Sequence, residues 1–366
     1  MDHEFIQQMR PWFGDEEKTA ISEYLDGDVY LTEHKKTQEF EVAFSKIVGC
    51  RHCFAVNNGT VALTIAGLAI DLKFGDEVIV PNYTMIATAN AFKILGCTPK
   101  FIDVNPTDYY LNPELIEAAI SEKTKAIVVM NANGRYPLGG MEPYLAIAKK
   151  YGLKLIEDAA QSLGSYYPDG KHIGNHSNLS TFSFSAPKII STGQGGMVCT
   201  NDDELAHKIS RLKDFGRASS GTDVHYSIGY NFKFTDLQAV IGLEQLKKLE
   251  ARVQRKKELY NLYQKHLSKN KKAKLVFNDV QFTSPWFFEI MVQDRQKLID
   301  NLATHNIGSR PMYPPINKQL AYNQDEQLLI SDEIGSKGLW LPSQVQLKNR
   351  QIEHICEVLN NFFNKG

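Results

Sequence analysis

Short apolar segments alternate with amphipathic segments between about residues 53 and 200. The apolar segments are rich in Val, Ile and Phe and predict strands at FAVN (54–57), EVIVP (77–81), KFIDV (100–104), KAIVVM (125–130), KLIEDA (154–159), LSTFSFS (179–185) and GMVCT (196–200). The first five are almost continuously apolar, which is typical of strands covered on both faces. Helical patterns occupy residues 60–72, 84–95, 112–121 and 141–151. This alternation predicts an α/β fold with a largely parallel sheet.

The pattern changes after about residue 236. Residues 236–267 form a long amphipathic helical pattern, broken at most once, which is rich in Lys and Arg. These basic residues could face an anionic partner, but the pattern favours a solvated helix face. The remaining chain mixes predicted strands (KLVF and FFEIMV) with predicted helices (295–306 and 349–363). We therefore expect a large α/β domain at 1–250 and a smaller α+β domain at 251–366.

Composition argues against several classes of protein. The chain has 41 basic and 42 acidic side chains, so it lacks the basic excess of a nucleic-acid binder. Its longest apolar run, 61–70, is too short to span a membrane, and its first residues do not read as a secretory signal. Five scattered cysteines suit a reducing cytoplasm. Cys50 and Cys53 form a lone CxxC, which is weak support for metal or redox chemistry, and we expect no metal site.

A lysine among apolar and small residues is the first candidate for chemistry. Lys188 lies in SFSAPKIISTGQGG (183–196), behind a proline and before two isoleucines. One interpretation is an ordinary surface or salt-bridged lysine near a strand end. The other is a partly desolvated amine whose lowered pKa lets it attack a carbonyl group and hold a Schiff base.

Polar residues at the carboxyl ends of predicted strands are the next candidates, because ligands bind there in open α/β sheets. Gly59 and Thr60 open a predicted helix, so their N–H groups could hold a phosphate, although a plain helix cap explains them as well. Asp158 could be a helix N-cap or could pair with a protonated ring nitrogen. Gln161 follows one helical turn later, and the hydroxyl of Ser183 could donate to a phosphate.

One cofactor would use all of these groups. Pyridoxal phosphate needs a lysine for its aldehyde, an acid for its pyridine nitrogen, a phosphate cup and an aromatic lid. Tyr83, just after the strand 77–81, is the candidate lid. On this interpretation Lys188 lies among apolar residues because a Schiff-base amine has to be desolvated.

Longer stretches of the chain resemble a known family. NNGTVALTIAGLAIDLKFGDEVIVPNYT (57–84), IEDAAQSLGSYY (156–167), TFSFSAPKIISTGQGGMVCTND (181–202) and GYNFKFTDLQAVIGLEQL (229–246) resemble the DegT/DnrJ/EryC1/StrS family of sugar aminotransferases. The resemblance extends in outline across nearly the whole chain. It implies the PLP-dependent fold type I, which is that of aspartate aminotransferase, and a homodimer with active sites at the subunit interface.

The resemblance also implies a role for each candidate residue. Lys188 would bind the cofactor and shuttle the proton, Asp158 would pair with the pyridine nitrogen, and Gln161 would reach the ring hydroxyl. Tyr83 would stack on the ring. The implied phosphate contacts are Gly59, Thr60, Ser183 and, across the dimer interface, Asn231.

Some positions depart from the family pattern. Lys233 stands where an arginine is frequent, so a bidentate grip on a carboxylate or phosphate is in question there. GQGG, with Gln194, replaces the frequent GEGG, and NANGRYP (131–137) replaces a histidine-containing HLYG pattern. Relatives with histidine at the lysine position act as dehydratases, so Lys188 favours transamination.

The segments PWFGDEEKTAISEYL (11–25) and SRPMYPPINKQLAY (309–322) resemble family members that aminate C4 of a nucleotide-linked 4-keto-6-deoxyhexose, with L-glutamate as donor. The products, of perosamine or viosamine type, are deoxyamino sugars for polysaccharides. Lys233, Arg310 and Tyr313 are candidate substrate contacts, with a structural role as the alternative for the last two.

Several alternatives for the function stay open. They are amination at C3, a keto-cyclitol substrate, and a non-catalytic homologue that binds the cofactor or a nucleotide sugar. A dehydrogenase is disfavoured, because no GxGxxG follows the first strand. The nucleotide could be GDP, dTDP or UDP.

Overall fold

The computed structural model describes residues 4–27, 29–219 and 221–365, in which strands and helices alternate. The strands are β1 (His52–Val56), β2 (Glu77–Pro81), β3 (Thr98–Ile102), β4 (Thr124–Met130), β5 (Lys154–Asp158), β6 (Leu179–Ser183), β7 (Gly196–Thr200), β8 (Phe288–Met291), β9 (Arg310–Pro311) and β10 (Gly338–Leu341). The helices are α1 (Asp15–Leu25), α2 (Lys35–Val48), α3 (Gly59–Ala69), α4 (Ala87–Lys93), α5 (Pro113–Ala119), α6 (Glu142–Tyr151), α7 (Asp203–Lys213), α8 (Asp236–Lys247), α9 (Leu249–Leu267), α10 (Arg295–Thr304), α11 (Leu329–Lys337) and α12 (Asn349–Lys365). None of these helices, within the described ranges, is long and apolar enough to cross a membrane.

Strands β1–β7 form one sheet in the order β1-β7-β6-β5-β4-β2-β3. Strands β2 to β6 run parallel, whereas β7 is antiparallel to both β1 and β6. The strands are largely buried, because helices cover both faces of the sheet. Each strand predicted between residues 53 and 200 is present within a few residues, and the expected α/β fold is confirmed.

The reversed direction of β7 brings several loops to one edge of the sheet. Gly196, at the start of β7, is the register partner of Val56 at the end of β1 and of Ser183 at the end of β6. Asp158, at the end of β5, pairs with Thr181 of β6. The helix that follows β1 therefore starts beside the ends of β5 and β6.

The C-terminal part of the chain builds a second, three-stranded sheet in the order β8-β10-β9. The helical pattern at 236–267 is broken once, at Lys248, into α8 and α9. Helices α9, α10 and α12 pack on the second sheet around an apolar cluster of their own. The strand predicted at KLVF is absent, since Leu275 makes only an isolated bridge to Ile290 of β8.

Candidate active site

A cleft of about 680 Å³ opens at the edge of the sheet where β1, β5 and β6 end. It brings together most of the site residues predicted from the sequence. Those that line it are Gly59, Thr60, Asp158, Gln161, Ser183 and Lys188.

The loop between β6 and β7 carries Lys188 into this cleft. Two backbone bonds close the loop: the N–H of Phe184 donates to the carbonyl of Gly195 at 2.8 Å, and that of Thr192 donates to the carbonyl of Phe184 at 3.0 Å. Burial of the Lys188 amine lowers its pKa from 10.5 to about 8, and the negative charge of Asp158 opposes this shift. The amine can therefore gain or lose a proton within reach of neutral pH.

Asp158 is a buried carboxylate with neutral donors around it. Thr88 Oγ1 donates to its Oδ2 at 2.7 Å, and the N–H of Ala160 donates to its Oδ1 at 3.2 Å. Burial raises the pKa of Asp158, while these two bonds and the charge of Lys188 act in the opposite direction. No salt bridge joins Asp158 to a side chain of the described ranges. A buried carboxylate in this setting is stabilised by a cation in the cleft, such as a protonated ring nitrogen.

The start of α3 and the end of β6 form a seat for an anion. Asn58 is the N-cap of α3 and accepts a hydrogen bond from the N–H of Val61 at 2.9 Å. Gly59 and Thr60 are the first two residues of α3, so their N–H groups have no intrahelical acceptor. A Cβ atom on Gly59 would lie 2.9 Å from the Cβ of Ser183, so glycine is required for this close approach. Backbone N–H groups and a hydroxyl thus converge as phosphate binding requires.

Gln161 is held by the segment 131–137. Its Oε1 accepts the N–H of Asn133 at 2.7 Å, and Asn133 adopts a left-handed conformation with a φ of 56°. The side chain of Asn133 in turn donates to the carbonyl of Phe287 at 2.7 Å, ahead of β8. Because Oε1 of Gln161 is occupied, the NH2 group is the part of this amide that can donate to a ligand in the cleft.

Tyr83 does not line the cleft, contrary to its expected place above a cofactor ring. It is buried in an aromatic cluster, 5.3 Å from the ring of Tyr109 and 6.3 Å from that of Tyr313. Met85, two residues later, lines the cleft instead and is 46% exposed. The chain after β2 is fixed by Asn82, whose Nδ2 donates to Asn317 at 3.0 Å, and this turns Tyr83 inward.

Four further predicted residues lie outside the cleft lining. Asn231 is exposed and its backbone bridges Asp214, while Lys233 forms a salt bridge to Asp214 at 3.0 Å. Arg310 is exposed, with its guanidinium 5.4 Å from the centre of the Trp340 ring. Tyr313 packs edge-on against Trp340 at 4.7 Å. Burial raises the pKa of Tyr313. The negative charge of Asp158 acts in the same direction, and the positive charge of Arg310 acts against it.

Sequence reasoning missed some of the residues that shape the site. Thr88 bonds Asp158, and Trp286 places its ring centre 4.3 Å from Lys188 Nζ. Neither residue belongs to a recognisable motif, and both are distant in sequence from the groups that they contact. No cluster of His, Cys, Asp or Glu in the described ranges is arranged to hold a metal ion.

The residues in the cleft fit pyridoxal phosphate. Lys188 supplies a desolvated amine, Asp158 a buried carboxylate in need of a cation, and the start of α3 a phosphate seat. These are the groups that an enzyme of the Schiff-base class requires.

Comparison with known proteins leads to the same class. The sequence model of the DegT/DnrJ/EryC1/StrS aminotransferase family matches residues 11–360. The chain belongs to this family. It is 36% identical to GDP-perosamine synthase of Escherichia coli O157:H7, over 98% of this chain and 99% of that protein. It is 33% identical to GDP-perosamine synthase of Caulobacter vibrioides, over 97% of each chain.

Solved structures of related proteins share the fold. Helicobacter pylori PseC, an aminotransferase involved in the biosynthesis of pseudoaminic acid, superposes with a TM-score of 0.91 at 27% identity over 100% of both chains. S. venezuelae DesV, solved in complex with a ketimine intermediate, has a TM-score of 0.89 at 28% identity over 95% of this chain and 94% of that one. The family membership and the expected fold are thus confirmed along nearly the entire chain.

Proposed function

We propose that the protein is a pyridoxal-phosphate-dependent aminotransferase that moves an amino group from L-glutamate to C4 of a nucleotide-linked 4-keto-6-deoxyhexose. The observation that carries this proposal is the pairing, in one cleft, of a buried amine whose pKa is lowered to about 8 with a buried carboxylate. A protein that only binds a nucleotide sugar has no need of a desolvated lysine at that place.

The cofactor would be held by the residues that line the cleft. Gly59, Thr60 and Ser183 would bind its phosphate, Asp158 its ring nitrogen, and Gln161 its ring hydroxyl. When bound, pyridoxal phosphate supplies an aldehyde for the lysine and an electron-accepting ring that stabilises negative charge at the carbon of the reacting amine.

The chain's own groups would then move the protons. Lys188 Nζ would take the proton from the α-carbon of glutamate and, in the second half of the cycle, would deliver a proton to C4 of the sugar. Thr88 and Ala160 donate hydrogen bonds to Asp158, which favour its charged form against the burial that raises its pKa.

The choice of C4 rests on the full-length similarity to two proteins named GDP-perosamine synthase. We therefore propose a GDP-linked 4-keto-6-deoxyhexose as the substrate, with Lys233, Arg310 and Tyr313 as candidate contacts to the sugar or the diphosphate. Lys233 is already bound to Asp214 within its own chain, so it would reach a substrate only after leaving that salt bridge.

We further propose that two copies of the chain form a homodimer with shared active sites. Residues 215–219 and 221–230, called the hairpin below, pair through their backbones: the N–H of Tyr226 donates to the carbonyl of Gly216, and that of Ala218 donates to the carbonyl of Val224. The hairpin exposes large apolar side chains, namely Tyr226 (67%), Ile228 (78%) and Tyr230 (45%). Such a surface is typical of a protein interface, and Asn231 at its base would reach the phosphate of the partner's cofactor.

Product analysis tests the proposed reaction. The purified protein is incubated with pyridoxal phosphate, L-glutamate and GDP-4-keto-6-deoxymannose, and the sugar product is examined by mass spectrometry and NMR. We expect a product with an amine on C4 together with 2-oxoglutarate. Amination of a 3-keto isomer in a parallel incubation, without amination of the 4-keto sugar, would support the alternative regiochemistry, and no amination of GDP-, dTDP- or UDP-linked keto-sugars would reject the proposal.

A further inference from the structure

The amine of Lys188 lies against an aromatic ring from a distant part of the chain. Its Nζ is 4.3 Å from the centre of the Trp286 ring, which is within the range of a cation–π interaction. Trp286 is 5% exposed and stands just before β8, on the C-terminal side of the cleft. Its Nε1 donates to the carbonyl of Pro187 at 2.8 Å, so the same ring also fixes the backbone beside Lys188.

Two buried polar residues fix the backbone of Trp286 and of the residue that follows it. Lys256 of α9 donates from Nζ to the carbonyl of Trp286 at 2.6 Å and also to the carbonyl of Ser343, which follows β10. Asn133 binds both backbone groups of Phe287, accepting its N–H at 2.5 Å and donating to its carbonyl at 2.7 Å. The ring of Trp286 is therefore anchored at its indole nitrogen, its own carbonyl and the next peptide.

Lys256 is buried without a salt bridge to explain its position. It is 1% exposed, and no carboxylate of the described residues forms a salt bridge with it. Burial lowers the pKa of Lys256 to about 7. A buried, unpaired amine destabilises a fold, whereas an apolar side chain would fill the same space at no such cost. What the amine adds is a fixed link between the two carbonyl groups that flank the second sheet.

We propose that Trp286 is a positioning residue for Lys188. Its ring holds the free ammonium of Lys188 at a fixed point beside the cleft whenever the amine is not bound to the cofactor, and Lys256 and Asn133 hold the ring. The inference rests on the proposed function for the role of Lys188, but the contact itself can be tested without the cofactor.

The charged groups around Lys188 also influence its protonation, so a test of the Trp286 ring has to leave them unchanged. Asp158 of β5 favours the ammonium form. Behind the lysine, Arg10, Arg252 and Lys256 line the same small cavity as Trp286. Because substitution of Trp286 leaves all four of these groups in place, a change in the protonation of Lys188 reports the loss of the ring.

The test measures how fast Lys188 reacts with acetic anhydride as a function of pH. The full-length, cofactor-free protein is labelled between about pH 6 and about pH 10, and peptide mass spectrometry compares Lys188 with the exposed Lys297 of the same sample. Only a neutral amine reacts, and the ring favours the ammonium. Trp286→Leu should therefore lower the pH midpoint of labelling and speed labelling at pH 7 by about two- to tenfold.

A matched variant separates the ring from its anchor. Trp286→Phe keeps an aromatic face but loses the bond to Pro187, so its midpoint should lie between those of the wild type and Trp286→Leu. Thermal unfolding of each variant checks that the chain is folded.

Two results would overturn the proposal. One is an unchanged midpoint in a folded Trp286→Leu variant, and the other is a rate that increases equally at every pH, which indicates only better access to the lysine. Pyridoxal phosphate added before labelling should protect Lys188 in the wild type. Absence of that protection would count against the proposed function and leave the comparison of midpoints intact.

Discussion

At the scale of single residues, the site depends on two buried charges that influence each other. Burial lowers the pKa of Lys188 and raises that of Asp158, because a low-dielectric interior disfavours both charged forms. Each charge favours the charged form of the other, and Thr88 adds a hydrogen bond to Asp158. Lys188 consequently titrates near 8, where it can act as either acid or base.

Replacing Asp158 with asparagine tests this coupling. The buried amide can still accept from Thr88, so the fold should stay intact, but the cofactor ring loses its anionic partner. We expect the rate of the reaction with glutamate to fall at least about 100-fold. The pKa of Lys188 should fall as well, because Asp158 raises it, and the pH at which the rate reaches half its maximum should then decrease.

Stopped-flow absorbance across a pH series measures both effects, with circular dichroism as the control for folding. A folded Asp158→Asn variant that reacts at nearly the wild-type rate would reject the role given to this carboxylate. Thr88→Val is a matched comparison, since it removes the hydrogen bond but keeps the negative charge.

Single residues differ in how well the sequence predicts them. Lys188 and Asp158 are candidates from the sequence because an amine among apolar residues and a carboxylate at a strand end are locally unusual, and both line the cleft. Tyr83 lies outside the lining of the cleft, and sequence alone does not tell which way a side chain turns after a strand ends. Trp286 was missed, since its importance comes from a contact with Lys188 across 98 positions of the chain.

At the scale of elements, the close approach of α3 to the end of β6 forms the phosphate seat. The register of the strands brings α3 close to β6, because Gly196 of β7 pairs with both Val56 at the end of β1 and Ser183 at the end of β6. A Cβ on Gly196 would lie 2.5 Å from the carbonyl oxygen of Asn58, so this strand too has to carry glycine. The anion seat is thus a property of packed elements as well as of their side chains.

Gly59→Ala tests the seat. The added methyl group would lie 2.9 Å from the Cβ of Ser183 and would push the helix start away from β6. We expect the dissociation constant for pyridoxal phosphate to increase about tenfold, because a phosphate gripped by several charge-assisted hydrogen bonds loses some of them. Titration of the cofactor absorbance measures this constant.

Gly139→Ala is the matched control, because no atom lies within 4 Å of the position that its Cβ would take. It should leave cofactor affinity unchanged. Equal affinities for Gly59→Ala, Gly139→Ala and the wild type would contradict the phosphate seat.

The sequence predicts these elements well where the pattern is local. Continuous apolar runs predict the strands of the large sheet. The helical pattern at 236–267 predicts at most one break, and the structure has one, between α8 and α9. KLVF has strand-like composition but lies at a sheet edge, where Leu275 finds only one bridging partner. The reversal of β7, on which the seat depends, is a matter of long-range pairing that local pattern does not reveal.

At the scale of the whole molecule, we propose that the boundary between a large and a small domain lies near residue 250, where α8 gives way to α9. The two sheets are joined by a buried salt bridge between Arg135, in the segment 131–137, and Glu289 of β8. Trp340 donates to the same carboxylate at 3.2 Å. These contacts tie β8 and β10 of the second sheet to the segment that follows β4. They were not predicted from the sequence, because their partners are 154 positions apart.

Mixing two inactive variants tests the proposed dimer. Lys188→Ala removes the amine from its own site, and Asn231→Ala removes the group proposed to reach the partner's site. In a mixed dimer one of the two sites keeps both residues. Random exchange of subunits should therefore restore about a quarter of the wild-type activity.

Sedimentation of the same mixture reports the oligomeric state. Activity no greater than the sum of the two separate variants would contradict the shared site. A fully active monomer would do so as well.

The most direct test of the central claim is the visible absorption spectrum of the purified protein before and after addition of L-glutamate, compared with that of Lys188→Ala. We expect a Schiff-base band in the wild type that fades as glutamate is added and that is absent from Lys188→Ala. The absence of a band in the wild type, even after incubation with pyridoxal phosphate, would contradict the role of Lys188 and the proposed function with it.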